Sequence, residues 1–202
     1  MVVSHRPAEA PAPARRRGKQ LEQAIFEAVL EQLVSSGYSR MTMEGVAVGA
    51  QTGKAALYRR WTSKEQLVMD ALAATLPPTG GAPDTGSLRD DLVELLHRVI
   101  AAMNSVPGAA LRAVIGELDH EHARSFMGLV HERVIDPVRR LQLEVLAAGE
   151  RRGEVRPGAV TPMVADVLPA LLLYRAKFCG GVPQDADAEA LVDEVLLPIV
   201  RA

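Results

Sequence analysis

The chain of 202 residues holds one cysteine, Cys179, and only seven aromatic side chains. A single thiol excludes an intrachain disulfide and suits a reducing compartment. Aromatics at 3% leave too few rings for the stacking platforms that read single-stranded RNA. No apolar run approaches the ~18 residues that cross a bilayer, and residues 1–18 lack the apolar core of a secretory leader. These features lead us to expect a soluble, cytoplasmic chain with no membrane association. P-loops, dinucleotide-binding glycine patterns and nucleophile elbows are missing too, so no catalytic residue or cofactor is expected. Glu117-Leu118-Asp119-His120 has the Glu-x-x-His spacing of a di-iron helix bundle, but that site needs a second copy, which the sequence lacks. His120 and His122 therefore read as exposed polar residues, and no metal is expected. No stretch alternates apolar and polar residues with period two, which leaves an all-α fold.

What the sequence does have is a globular composition, 48% hydrophobic, and an uneven charge distribution. The net charge is −2. Yet residues 1–75 carry ten Lys/Arg against seven Asp/Glu, and Tyr38–Lys64 carries five basic residues against one acid, Glu44. That basic patch coincides with a helix-turn-helix pattern over 42–67. Thr42 is an N-cap, and Val46, Ala47 and Ala50 share one helical face. Gln51-Thr52-Gly53 breaks the pattern for the length of a helix-turn-helix corner. A second short helix, about 53–60, turns Leu57 and Trp61 inward and leaves Lys54, Tyr58 and Arg60 facing out. Arg59 points sideways. Ser63-Lys64-Glu65-Gln66 reads as a capping box that opens the next helix. Short helices with a basic outer face suit the major groove of double-stranded DNA.

The rest of the chain is organised around this pattern. Residues 1–18 read as a disordered basic arm, and its Arg15, Arg16 and Arg17, with Lys19 just beyond it, either reach the minor groove or stay idle. A DNA-binding domain is expected over 19–76, with a first helix over 19–36 that ends at Gly37. PPTGGAPDTG, residues 77–86, forms a linker. A helical body over 87–202 follows, with helices expected from Ser87, from Pro107-Gly108 to Glu117, from His120 to Arg152 with a bend at Asp136-Pro137, from Thr161-Pro162 to Gly180, and over 187–200. The total is about nine helices.

Thr42, Val46-Ala47, Ala50, Lys54, Leu57-Tyr58-Arg59-Arg60-Trp61 and Ser63-Lys64-Glu65-Gln66-Leu67, preceded by Ser36-Gly37-Tyr38, resemble the DNA-binding head of TetR-type transcriptional regulators. The match covers about residues 20–70. It departs from the family pattern at Gln51-Thr52-Gly53 and at Ala55-Ala56. The resemblance implies an N-terminal helix-turn-helix head and a C-terminal helical ligand-binding and dimerisation body. DNA contacts would come from Thr42, Thr52, Gly53, Lys54, Ala55, Ala56, Tyr58, Arg59, Arg60 and Lys64, with Lys54 and Arg60 facing the groove and Tyr58 and Lys64 holding phosphates. It also implies a cavity for an unknown, apolar small-molecule effector, expected at Leu96, His97, Ile100, Met103, Phe126, Met127, Val130, His131 and Leu172. The last two helices carry more apolar surface than docking on one body needs. A homodimer interface is therefore expected at Val164, Val167, Leu168, Leu171, Leu191, Val195, Leu196 and Ile199.

The reading is a ligand-responsive, DNA-binding regulator, a repressor in sign, that binds a near-palindromic operator as a homodimer. Its rivals are a helical-bundle enzyme with an accessory DNA-binding head and an effector-independent DNA-binding protein. An apolar cavity in the body separates the sensor from the last of these.

Overall fold

The computed structural model describes residues 18–117, 126–179 and 181–201. Residues 1–17 of the expected arm, and His120 and His122, lie outside these. Among the described residues there are nine helices and one isolated bridge, Val155 to Arg201, with no strand. Helices α1 (Lys19–Ser36), α2 (Met43–Gly49), α3 (Lys54–Tyr58) and α4 (Lys64–Thr75) make the head. Helices α5 (Leu88–Asn104) and α6 (Val106–Glu117) meet at a 69° bend. Helix α7 runs over 126–130, passes through a π-helical turn at His131–Ile135 and continues as Asp136–Arg151. Helix α8 is Pro162–Phe178. Helix α9 starts at Asp185, takes a second π-turn at Val192–Leu196 and ends at Val200.

Local chemistry sets these boundaries. Thr42, Ser63, Ser87 and Thr161 each accept a hydrogen bond from the backbone N–H three residues on, which satisfies one orphan donor of the following helix. The box at Ser63 is offset: the Gln66 side chain accepts from the N–H of Thr62 at 3.1 Å, one residue before the cap. Helix α9 starts two residues earlier than expected, because Gln184 and Asp187 form a reciprocal capping box. Helix α3 spans only five residues, so Arg59 and Arg60 lie beyond its last turn.

The expected bend at Asp136-Pro137 is a widened turn instead. The N–H of Asp136 reaches the carbonyl of His131, five residues back, directly before the proline that cannot donate. Helix α9 repeats the device: the N–H of Leu197 reaches Val192 directly before Pro198.

Two apolar clusters fill the interior. The head cluster joins Ile25, Leu33, Leu57, Trp61, Leu67 and Leu72 to Leu111 and Val114 of α6 and Phe126 and Val130 of α7. The body cluster joins α5, α7, α8 and α9 around Leu92, Leu96, Val145, Leu168 and Leu196. The head's core therefore extends past the 77–86 linker into the body, through Ala110, Leu111 and Val114 of α6 and Phe126 and Val130 of α7. Buried Asp91, in the first turn of α5, fastens the linker. It accepts from the N–H and hydroxyl of Thr85 at 2.6 and 2.8 Å and from Arg152 at 2.8 Å.

Candidate functional site

The corner between α2 and α3 is tight. Gln51 adopts φ 54°, the left-handed region that a glycine would enter without strain. The N–H of Thr52 closes the corner on the carbonyl of Ala47 at 2.9 Å. Beneath it Leu57 is fully buried, and Trp61 packs on Phe26 while its indole N–H donates to Asp70 at 2.8 Å. These anchors fix which side of α3 faces out.

That outer side holds Gly53, Lys54, Ala55, Tyr58 and Arg59, all exposed, with Thr52 half-buried and Thr42 at the rim. Ala56 departs from expectation: it is 8% exposed, turned toward the core beside Leu57. Lys54 forms an ion pair with Glu44, and its ammonium lies 5.5 Å from the Tyr58 ring. The bond from Lys54 holds the Glu44 carboxyl below its ordinary range, and the same bond raises Lys54. Arg60 turns back toward α1, 3.8 Å from Glu22, rather than straight outward. Glu44 was visible in sequence as the lone acid of a basic stretch, but its pairing needs α2 folded against α3. Val48, 78% exposed on α2, also flanks this surface and carries no sequence signal.

Lys64 stands apart from the set. Its ammonium donates to the carbonyls of Tyr38 and Met41 at 2.8 and 3.3 Å and lies 4.3 Å above the Tyr38 ring. Burial pushes its pKa down. The side chain holds the α1–α2 loop in place, so its donors are committed within the head. The same loop is held from the body. The Glu117 carboxylate, at the end of α6, accepts from the N–H of Ser39 at 2.7 Å. That bond, with Arg40 nearby, keeps Glu117 below the ordinary carboxylate range. Gly37 makes this approach feasible: its φ is +83°, and a Cβ there would overlap the Glu117 carboxylate.

Between α4, α5, α6, α7 and α8 lies an apolar cavity of about 110 Å³. Met103, Val130 and Leu172 line it as expected, joined by Val99, Leu111, Ile115, Val134, Val138 and Pro169. The remaining expected lining residues lie elsewhere. Leu96 and Ile100 point into the body core, and Phe126 is fully buried in the head cluster. His97 is half-buried away from the cavity, while Met127 and His131 are exposed. The error has one cause: α5 presents its Val99–Met103 edge to the cavity and its Leu92–Leu96 edge to α7 and α9, and one apolar stripe cannot distinguish the two. Two arginines that sequence reasoning passed over, Arg112 and Arg133, also line the wall. Arg112 was legible only as the single charge inside Val106–Ile115.

The expected dimer residues divide. Leu168, Leu191 and Leu196 are 2%, 6% and 2% exposed, packed in their own body's core, so they are corrected from interface to core. Val164, Val167, Leu171, Val195 and Ile199 are half-buried. The exposed apolar surface of α8 is instead a stripe of Met163, Ala170, Tyr174 and Phe178, with Val167 in line, spaced along one helical face. Tyr174 and Phe178 stack at 5.5 Å. Among the described residues no single helix is long and apolar enough to cross a membrane.

Comparison with known proteins matches this geometry. Residues 25–71 match the family model of bacterial regulatory proteins of the tetR family, and residues 82–195 match the tetracyclin repressor-like C-terminal domain. An uncharacterised HTH-type transcriptional regulator of Mycobacterium tuberculosis is 31% identical over 196 residues, covering 97% of this chain and 93% of that protein. The DNA-binding transcriptional repressor TetR of Mycobacteroides abscessus is 30% identical over 186 residues, covering 92% and 96%. In fold, a Mesorhizobium loti crystal structure assigned to the TetR family superposes with a TM-score of 0.72 at 20% identity, covering 93% of this chain and all of that one. With one family model over its head, a second over most of its body and relatives spanning nearly its whole length, the chain belongs to the TetR family of DNA-binding transcriptional regulators.

Proposed function

We propose that the protein is a homodimeric, non-catalytic repressor that leaves its operator when a small molecule fills the cavity beside α6. One observation carries the reading: α6 lines the cavity through Gly108, Leu111, Arg112 and Ile115, while its last residue, Glu117, is bonded to the head at Ser39. A ligand that displaces α6 therefore acts on the element that sets the head's position, and it shifts DNA affinity by its differential binding to the two placements. The M. abscessus relative, a repressor, supports the sign. The exposed Met163–Phe178 stripe supports pairing across a two-fold axis, since isolated helices in water do not keep such faces uncovered.

On DNA, Lys54, Tyr58 and Arg59 of each head would enter successive major grooves, with Thr42, Thr52, Gly53 and Ala55 at the backbone. Selection of bound sequences from a random pool tests this. The expected consensus has two inverted half-sites whose centres lie about 10 bp apart. Recovery of a lone half-site, with a protein that sediments as a monomer, would overturn the dimeric reading.

A further inference from the structure

The cavity is apolar apart from its two arginines, and the two differ. Arg133 is on the exposed rim and has a carboxylate beside it, Glu132 at 3.6 Å. Arg112 is half-buried on the α6 wall, and among the described residues its hydrogen bond goes from Nη1 to the carbonyl of Met103, at the end of α5. Burial pushes its pKa down, and among the described residues no acid offsets this. A guanidinium has five donors in a rigid fork, so among the described residues most of Arg112's hydrogen-bonding capacity has no partner beside the apolar space. A partly desolvated cation on an apolar wall gains from a counter-charge, which makes an anion its natural complement.

Resting on the reading of this cavity as the effector site, we infer that the effector is an anionic amphiphile: an apolar tail in the cavity and a carboxylate held by Arg112. The fork of a guanidinium matches the two oxygens of a carboxylate. The tail fills the space between Val99, Met103, Val134 and Leu172. With about one water per 10–15 Å³ of such space, a cavity of about 110 Å³ has room for roughly seven to eleven heavy atoms. That is the size of a medium-chain monocarboxylate.

Capture of the carboxylate has a mechanical consequence. Arg112 stands one and a half turns before Glu117 on the same helix, so re-aiming its fork from the Met103 carbonyl toward a ligand loosens the α5–α6 corner. The corner lies at the opposite end of α6 from the bond to Ser39.

Calorimetric titration of the full-length protein with octanoate, 1-octanol and octylammonium tests the inference, because the three share a tail. Octanoate should bind at least tenfold tighter than octanol, with octylammonium weakest. Arg112→Gln should bring octanoate down to the octanol value and leave octanol within about twofold of wild type. Arg112→Lys, which keeps the charge and guards against a folding defect, should retain part of the preference. Equal affinity for octanoate and octanol, an Arg112→Gln protein that still prefers octanoate, or binding of none of the three would each overturn the inference. Release of a fluorescent operator is read separately. Arg112-dependent octanoate binding without release would uphold the carboxylate site and sink its role as the switch.

Discussion

Replacing Lys64 by methionine separates two readings of one residue. The family resemblance puts it on a DNA phosphate, whereas its ammonium donates to the Tyr38 and Met41 carbonyls and sits over the Tyr38 ring. Each charge-assisted hydrogen bond contributes about 1.5–3 kcal/mol, and the ring about 0.5–1 kcal/mol. Burial of the ammonium, visible in its lowered pKa, takes part of that back. A net loss of about 2–3 kcal/mol follows, since methionine keeps the stem but leaves two carbonyls without their donor. For a chain of this size that is a fall in Tm of roughly 5–10 °C. Binding of a labelled operator by anisotropy, between about 50 and 200 mM salt, gives the second readout. Were Lys64 a phosphate anchor, its removal would lower the salt slope by about 0.9 per head. The expected result is a lower Tm with the slope unchanged. A reduced slope with Tm unchanged would refute the structural assignment and restore Lys64 to the phosphates.

Other outcomes follow from the same geometry. Glu44→Gln should free Lys54 and remove a like charge from the DNA side, tightening operator binding about threefold at low salt; unchanged or weaker anisotropy binding would show that the pair opens without resistance. Tyr174→Glu with Phe178→Glu should give a folded monomer by sedimentation, whereas Leu168→Glu, which buries an unpaired carboxylate, should lower stability by about 3 kcal/mol or more; a folded monomer from Leu168→Glu would reverse that assignment. Asp91→Ala should cost about 1–3 kcal/mol by leaving the N–H and hydroxyl of Thr85 without their acceptor, while Arg152 keeps Glu154 at 2.6 Å. Burial alone would raise the Asp91 carboxyl, but donors from Thr85 and Arg152 outweigh it and hold the pKa below the ordinary value. Its contribution is therefore complete above about pH 4 and disappears as pH falls through the folded pKa. Denaturation midpoints measured from pH 6 to pH 2 should converge for wild type and Asp91→Asn at the acid end, and parallel curves would rule out a charged Asp91.

Much of this fold was legible because its signals are local. Caps at Thr42, Ser63, Ser87 and Thr161 act over three residues, and the buried stripe of α1 repeats every three to four. The outward face of α3 was legible for the same reason, as Leu57 and Trp61 declare the inner side. What failed were choices between partners. A leucine on α8 packs equally well on its own body or on a second copy, and only the placement of α9 decides that Leu168 goes inward. Likewise Lys64 meets carbonyls 23 and 26 residues earlier in the chain, a pairing that no spacing rule encodes.

The π-turn in α7 has a consequence for the cavity it borders. Val130, Val134 and Val138 all line that space, although residues four apart drift round a regular helix by roughly 40° at each step. The widened turn at His131–Ile135 absorbs this drift, so three successive turns of α7 present the same edge to the cavity. Deleting one residue from His131–Ile135 would let α7 close into a uniform helix. That would leave Val130 and Val138 seven residues apart, within about 20° of one face, and swing Val134 between them off the shared edge by about 40–60°. The shape of the cavity is thus set by the backbone count of one turn as well as by the side chains that line it.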